Sequence, residues 1–204
     1  GLKFPTGNYN CQDYFYRNDT TKVLSAINPS VQLGDGGTGI IAAFNTFLVF
    51  NNRLNIYGEF YYLANPQEQS GTLYTMGKVP SPNLLKTDAV NMSVPDVFSI
   101  RAGINANFGK LSLSAGTRYE GTPVYDLIGG SNGARRAGYY FSVEPGVLYK
   151  LKNAALFAYL PVVVSRSIKQ NVPDKKLTEI TGTRVVGPGG SANYMILAGV
   201  SIKL

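Results

Sequence analysis

From Val97 to Glu120 apolar and polar residues alternate with a period of two. Phe98, Ile100, Ala102, Ile104, Ala106 and Phe108 share one side, while Ser99, Arg101, Gly103, Asn105 and Asn107 share the other. Successive side chains of an extended chain point to opposite faces, so this pattern predicts a strand with one apolar and one polar face. After the break Gly109-Lys110, Leu111, Leu113, Ala115 and Tyr119 alternate with Ser112, Ser114, Gly116, Arg118 and Glu120, and the pair reads as a hairpin. The unit recurs in Ile40 to Phe50 with Leu54 to Ala64, and in Tyr139 to Leu151 with Ala154 to Ser165. A last strand runs from Tyr194 to Leu204. The strand from Ala154 is apolar on both sides, so alternation does not assign its faces.

Between the hairpins lie long polar segments, about 8–38, 65–96, 121–138 and 167–192, rich in Gly, Pro, Asn and Asp. Strict alternation of tight turns with long loops is the connectivity of an outer-membrane barrel, whose periplasmic turns are short and whose extracellular loops are extended. The expected fold is therefore all-β, a single antiparallel transmembrane β-barrel domain of at least eight strands. On this reading the apolar faces meet lipid and the polar faces line a lumen, with Glu59, Arg101, Arg118, Glu120, Glu144, Lys150 and Lys203 as lumen-facing candidates. Glu59 with Arg101, and Arg118 with Glu144, are placed to neutralise one another across strands. Phe50, Phe108, Leu151 and Leu204 at the turn ends, and Tyr62, Tyr119, Tyr139 and Tyr194 at the loop ends, match two interfacial girdles. Gly1 to Thr6 is too short for an eighth crossing strand, which wants about 9 to 11 residues. The expectation is a barrel incomplete at its N-terminus, the alternative being eight strands with a fraying first one.

Composition narrows the chemistry. The 204 residues hold 15% charged positions, well below an average soluble domain, with 23 Gly, 14 Tyr and no His. Without histidine the commonest general base, the usual nucleophile pairs and most zinc and haem ligation are gone, so no enzyme, metal or cofactor is expected. Cys11 is alone and forms neither an internal disulfide nor a CxxC motif. The net charge of +7 is dense only at Arg135-Arg136 and Lys175-Lys176, which does not make a nucleic-acid surface. The longest apolar run, Ala154 to Val164, contains Pro161 and falls short of the roughly 20 residues of a membrane helix.

Two loops draw attention. Gly34-Asp35-Gly36-Gly37-Thr38-Gly39 lacks the Lys-Ser/Thr of a phosphate-binding loop and reads as a loop feeding a strand, as does Gly187-Pro188-Gly189-Gly190. Tyr125 to Gly133, followed by Arg135 and Arg136, carries Leu127 and Ile128 inside a polar segment. That apolar pair is expected to pack on the barrel mouth or on a partner, which makes Leu127, Ile128, Arg135 and Arg136 candidates for a gate or a docking site.

Several segments carry a resemblance: Gly1-Leu2-Lys3-Phe4-Pro5-Thr6-Gly7, the turn Leu33 to Gly39, Arg118-Tyr119-Glu120-Gly121, Val143-Glu144-Pro145-Gly146-Val147, and Ser165 to Lys175 with Asn171-Val172-Pro173-Asp174. Together they resemble bacterial outer-membrane proteins grouped as phenol-degradation (MetA-pathway) or FadL-like transporters. The resemblance implies an outer-membrane channel or transporter for small apolar or aromatic solutes, with outer-membrane lipid and other envelope proteins as partners. The chain departs from the barrel pattern in ending on Leu204 rather than an aromatic residue. A barrel that serves a larger envelope assembly as a structural or docking subunit, without transport, is the second expectation. A soluble secreted β-sandwich is the third.

Overall fold

The computed structural model describes residues 1–187, 189 and 192–202. Its strands are β1 (Leu2–Lys3), β2 (Gln12–Tyr16), β3 (Lys22–Ala26), β4 (Gly39–Val49), β5 (Leu54–Ala64), β6 (Gln69–Leu73), β7 (Asn91–Ser93), β8 (Val97–Phe108), β9 (Leu111–Thr122), β10 (Gly138–Lys150), β11 (Ala154–Tyr159), β12 (Val162–Ile168) and β13 (Leu197–Ile202). Two helices, α1 (Pro82–Lys86) and α2 (Val172–Thr181), lie in the long connections.

One large antiparallel sheet in the order β1-β4-β5-β8-β9-β10-β11-β13 carries the alternating segments, with β12 also paired to β10. The three hairpins form where alternation breaks for two or three residues. At the first turn the Asn51 side chain accepts from the amides of Arg53 and Leu54. At the second, Gly109 takes a φ of 64°, a conformation that favours glycine. β11 and β12 are one strand interrupted at Leu160-Pro161, since both pair with β10 and Leu160 N still bonds Pro145 O. Its faces, which alternation alone left unassigned, are settled by register: Gly146 lies opposite Tyr159 and Leu148 opposite Phe157, so these two aromatics share the face of Glu144.

The sheet is not closed. Among the described residues β1 meets β4 only at Leu2 and Lys3, β13 pairs with β11 alone, and no ladder joins the two edges. The expected closed barrel thus reduces, among the described residues, to a large open antiparallel sheet of barrel-like connectivity. The long connections are also more ordered than their polarity predicts. Segment 8–38 holds the β2-β3 hairpin, 65–96 holds the β6-β7 hairpin and α1, and 167–192 holds α2. Together they build a cap over one end of the sheet.

The apolar core sits in that cap. Buried hydrophobic residues are Ala26, Leu63, Ala64, Val90, Met92, Val94, Ala137 and Leu177, all at the loop ends of strands or in the connections. Along the middle of the sheet the order is reversed: Ile100, Ile104, Leu113, Val143, Val147 and Val200 are exposed, while Asn55, Ser142 and Glu144 on the opposite face are buried.

Candidate functional site

The buried face can be read row by row from the register. Glu59 lies opposite Arg101, and Arg101 lies opposite Arg118, so two guanidinium groups are direct neighbours on adjacent strands. Like charges opposite one another repel. The counter-charge comes from β10, where Glu144, only 1% exposed, reaches both. One carboxylate oxygen of Glu144 accepts from Arg101, and the other accepts from Arg118 at 2.6 Å and 2.8 Å. Glu59 closes on Arg101 at 2.6 Å, and Glu120 lies 3.6 Å from Arg118. A ladder of three carboxylates and two guanidiniums therefore crosses four strands.

Space for Glu144 is made by glycines. Gly103 lies opposite Gly116, one row from the arginines, and Glu144 lies opposite Gly116. The Tyr57 ring lies over the same pair; a Cβ at Gly103 would stand 2.6 Å from Tyr57 Cζ, and one at Gly116 would meet the hydroxyl. On the far side Tyr159 lies over Gly146, with the Arg101 guanidinium 5.9 Å from its ring centre. Asn105 donates to Asn55 at 2.7 Å in the next row. Three buried polar atoms here, Tyr57 Oη, Ser114 Oγ and Arg101 Nε, have no protein partner.

Of the other lumen-facing candidates, Lys150 is exposed at the turn end of β10, and Lys203 lies outside the described residues. Arg166, opposite Tyr140 on the same face, lies one residue beyond the strand end that alternation predicts at Ser165. It donates to Asn193 of the last strand's approach.

The second constellation is the cap's attachment to the sheet mouth. The Arg135 and Asp126 side chains are wholly buried and joined by two parallel bonds, Nη1 to Oδ1 and Nη2 to Oδ2, each 2.6 Å. Asp126 also accepts the Asp96 amide at 2.9 Å. Asp96, itself fully buried, accepts from the Asn65 amide, the Leu127 amide and the Tyr62 hydroxyl, each at 2.7 Å. A carboxylate holding three donors needs no counter-cation to be stable in the interior. α2 locks the outer side: Asn171 caps it, with Asp174 completing the capping box, and Asn171 Nδ2 donates to Arg135 O at 2.9 Å. Lys175 and Lys176 donate to Tyr125 Oη and Asn132 Oδ1.

These bonds set the four gate or docking candidates apart. Arg135 is a buried strut, whereas Arg136 is exposed, with the Asn28 side-chain oxygen 3.3 Å away. Leu127 is 72% exposed and Ile128 39%, so the apolar pair does not fold inward. The Leu127 amide is tied to Asp96, so the loop backbone is anchored while the two apolar side chains stay accessible.

An aromatic band rings the outward face at the cap end. Tyr62 lies opposite Phe98, and the Phe98, Tyr119 and Tyr139 rings sit 5.4 to 5.9 Å apart. Phe50, Phe108 and Leu151 mark the turn end and are exposed. No helix is long and apolar enough to cross a membrane, and no metal-ligand cluster occurs among the described residues. No protein family, curated protein or solved structure matches the chain.

Proposed function

We propose that the chain is wall and cap of an outer-membrane β-barrel that passes small apolar or aromatic solutes. The observation that carries this reading is the inverted sheet, with apolar side chains exposed and charged ones buried along the same strands. In water such a sheet would leave its largest apolar surface uncovered, whereas in a bilayer that surface is the anchor. An 11-residue strand such as β5 spans ~36 Å at about 3.3 Å per residue; tilted by ~40°, it covers ~28 Å, enough for the apolar band of an outer membrane. The resemblance to phenol-degradation and FadL-like transporters supplies the solute class. Membrane placement also requires that the free edges along β4 and β13 be paired, because unpaired backbone groups are not tolerated in hydrocarbon.

Purified protein reconstituted in planar bilayers or liposomes tests the proposal. Discrete conductance, or entry of small aromatic solutes into protein-bearing vesicles, is expected. A protein that is monodisperse and folded in plain buffer without detergent would overturn the membrane reading. A specific observation favours the second reading, a docking or structural barrel. The interior charges are paired with one another, and Tyr57 and Tyr159 fill space between them. An inserted, folded protein with no conductance and no solute entry would select it.

A further inference from the structure

The cap encloses a cavity of about 560 Å³, a volume within the usual range of small-molecule sites. Val97 and Thr122 contribute to its lining, and by strand register both lie on the same face as Ser99, Glu120 and the charge ladder. The cavity therefore stands at the mouth of the polar face. Its walls are mostly apolar and include flat surfaces: Tyr9, Tyr74, Leu84, Met92, Pro95 and Leu177. Most polar lining groups are already engaged. Asp35 is held by Lys3 at 2.5 Å, Asp174 accepts from the Asn171 and Gly187 amides, and the Gln32 amide is spent on backbone groups of Cys11 and Ile27. One cationic group remains free of an ion pair. The Arg135 guanidinium is wholly buried and spent on Asp126. Arg136, also in the lining, is exposed and has no ion-pair partner among the described residues.

An apolar cavity with one unneutralised guanidinium in its lining calls for a ligand with an apolar body and a single anionic acceptor. We propose that the cap cavity binds compact aryl carboxylates, the ring lying against the tyrosine and proline faces and the carboxylate directed to Arg136. Binding stands on the cap alone and does not require that the barrel conduct.

The test is a titration of the folded full chain in lipid nanodiscs with 2-naphthoate, followed by ligand fluorescence and calorimetry. Saturable one-to-one binding is expected. It is weakened at least fivefold by Arg136→Gln, a surface change that leaves the fold intact, and weakened as well by Ala89→Trp, which sets an indole in the cavity lining. Equal affinity for uncharged 2-methylnaphthalene, equal or tighter affinity for decanoate, or unaltered binding by Arg136→Gln would each overturn the proposal. Should the chain prove folded in plain buffer, the same titration is run there. Binding in buffer would keep the cavity site while rejecting the membrane reading, and conductance without binding would do the reverse.

Discussion

Glu144 is the residue on which the interior depends, because it alone separates two arginines placed opposite each other. Removing one partner of a buried charge set leaves the others uncompensated, a loss of about 3 to 5 kcal/mol. Glu144→Gln is expected to lower unfolding stability in urea by that order. Glu59→Gln, at a side chain 43% exposed, should lower it by about 1 kcal/mol or less; equal effects would contradict the ladder. The glycine pair gives a sharper test. Gly116→Ala sets a methyl against the Tyr57 hydroxyl, an overpacking loss of about 1 to 3 kcal/mol, which Tyr57→Phe should relieve because that hydroxyl has no partner. Gly103→Ala meets the ring carbons Cζ and Cε1 as well as the hydroxyl, so Tyr57→Phe should leave most of its loss in place. A double-mutant cycle reads both. That Glu59 and Arg101 share the polar face was readable from alternation, whereas their exact register was not, because the long 65–96 connection joins β5 to β8 and no tight turn fixes it. The role of Tyr57 was not readable either, because nothing local in Ala-Gly says that a ring one strand from Gly103 and two from Gly116 needs those glycines.

Among the elements, the hairpins were legible because each strand has one face of each kind and each turn is short. Ala154 onward was not assignable, because its inward residues are aromatic too: Phe157 lies against Gly199 and Tyr159 against Gly146. The cap was the largest omission. Its strands β2, β3, β6 and β7 are five residues or fewer and lie in segments rich in Gly, Pro, Asn and Asp, so they read as loops. α2 did carry a signal, Asn171 followed three residues later by Asp174 with Pro173 between, the spacing of a capped helix start. Arg135 and Asp126, nine residues apart, have no spacing that announces a pair. Asn171→Ala removes both the helix cap and the bond to Arg135 O, and should cost about 1 to 2 kcal/mol. The loss is expected within the cap. Limited proteolysis between residues 167 and 187 should accelerate several-fold while the strand signal in far-UV circular dichroism stays unchanged; loss of that signal would show that cap and sheet unfold together.

For the whole molecule, the decisive question is which solvent faces the outward side chains, and a charge placed at different heights along one face answers it. Val143 lies near the middle of β10 and Phe108 at the turn end of β8, both exposed on the apolar face. In water an exposed Val→Lys or Phe→Lys change away from special features shifts stability by no more than about 0.5 kcal/mol. In a bilayer the penalty depends on depth, about 2 to 4 kcal/mol at the midplane and 0 to 1 near the interface. Val143→Lys is therefore expected to lower folding stability in phosphatidylcholine vesicles by at least 2 kcal/mol, and Phe108→Lys by about 1 kcal/mol or less. Asn105→Lys, midway by register between the Val143 row and Phe108 but on the polar face beside Asn55, separates lipid exposure from tight packing. A penalty at Val143 well above those at Asn105 and Phe108 is the signature of lipid on one face and water on the other. Equal small penalties at all three positions would mean that the apolar face meets water, and the inverted sheet would then require a protein partner rather than a membrane to cover it.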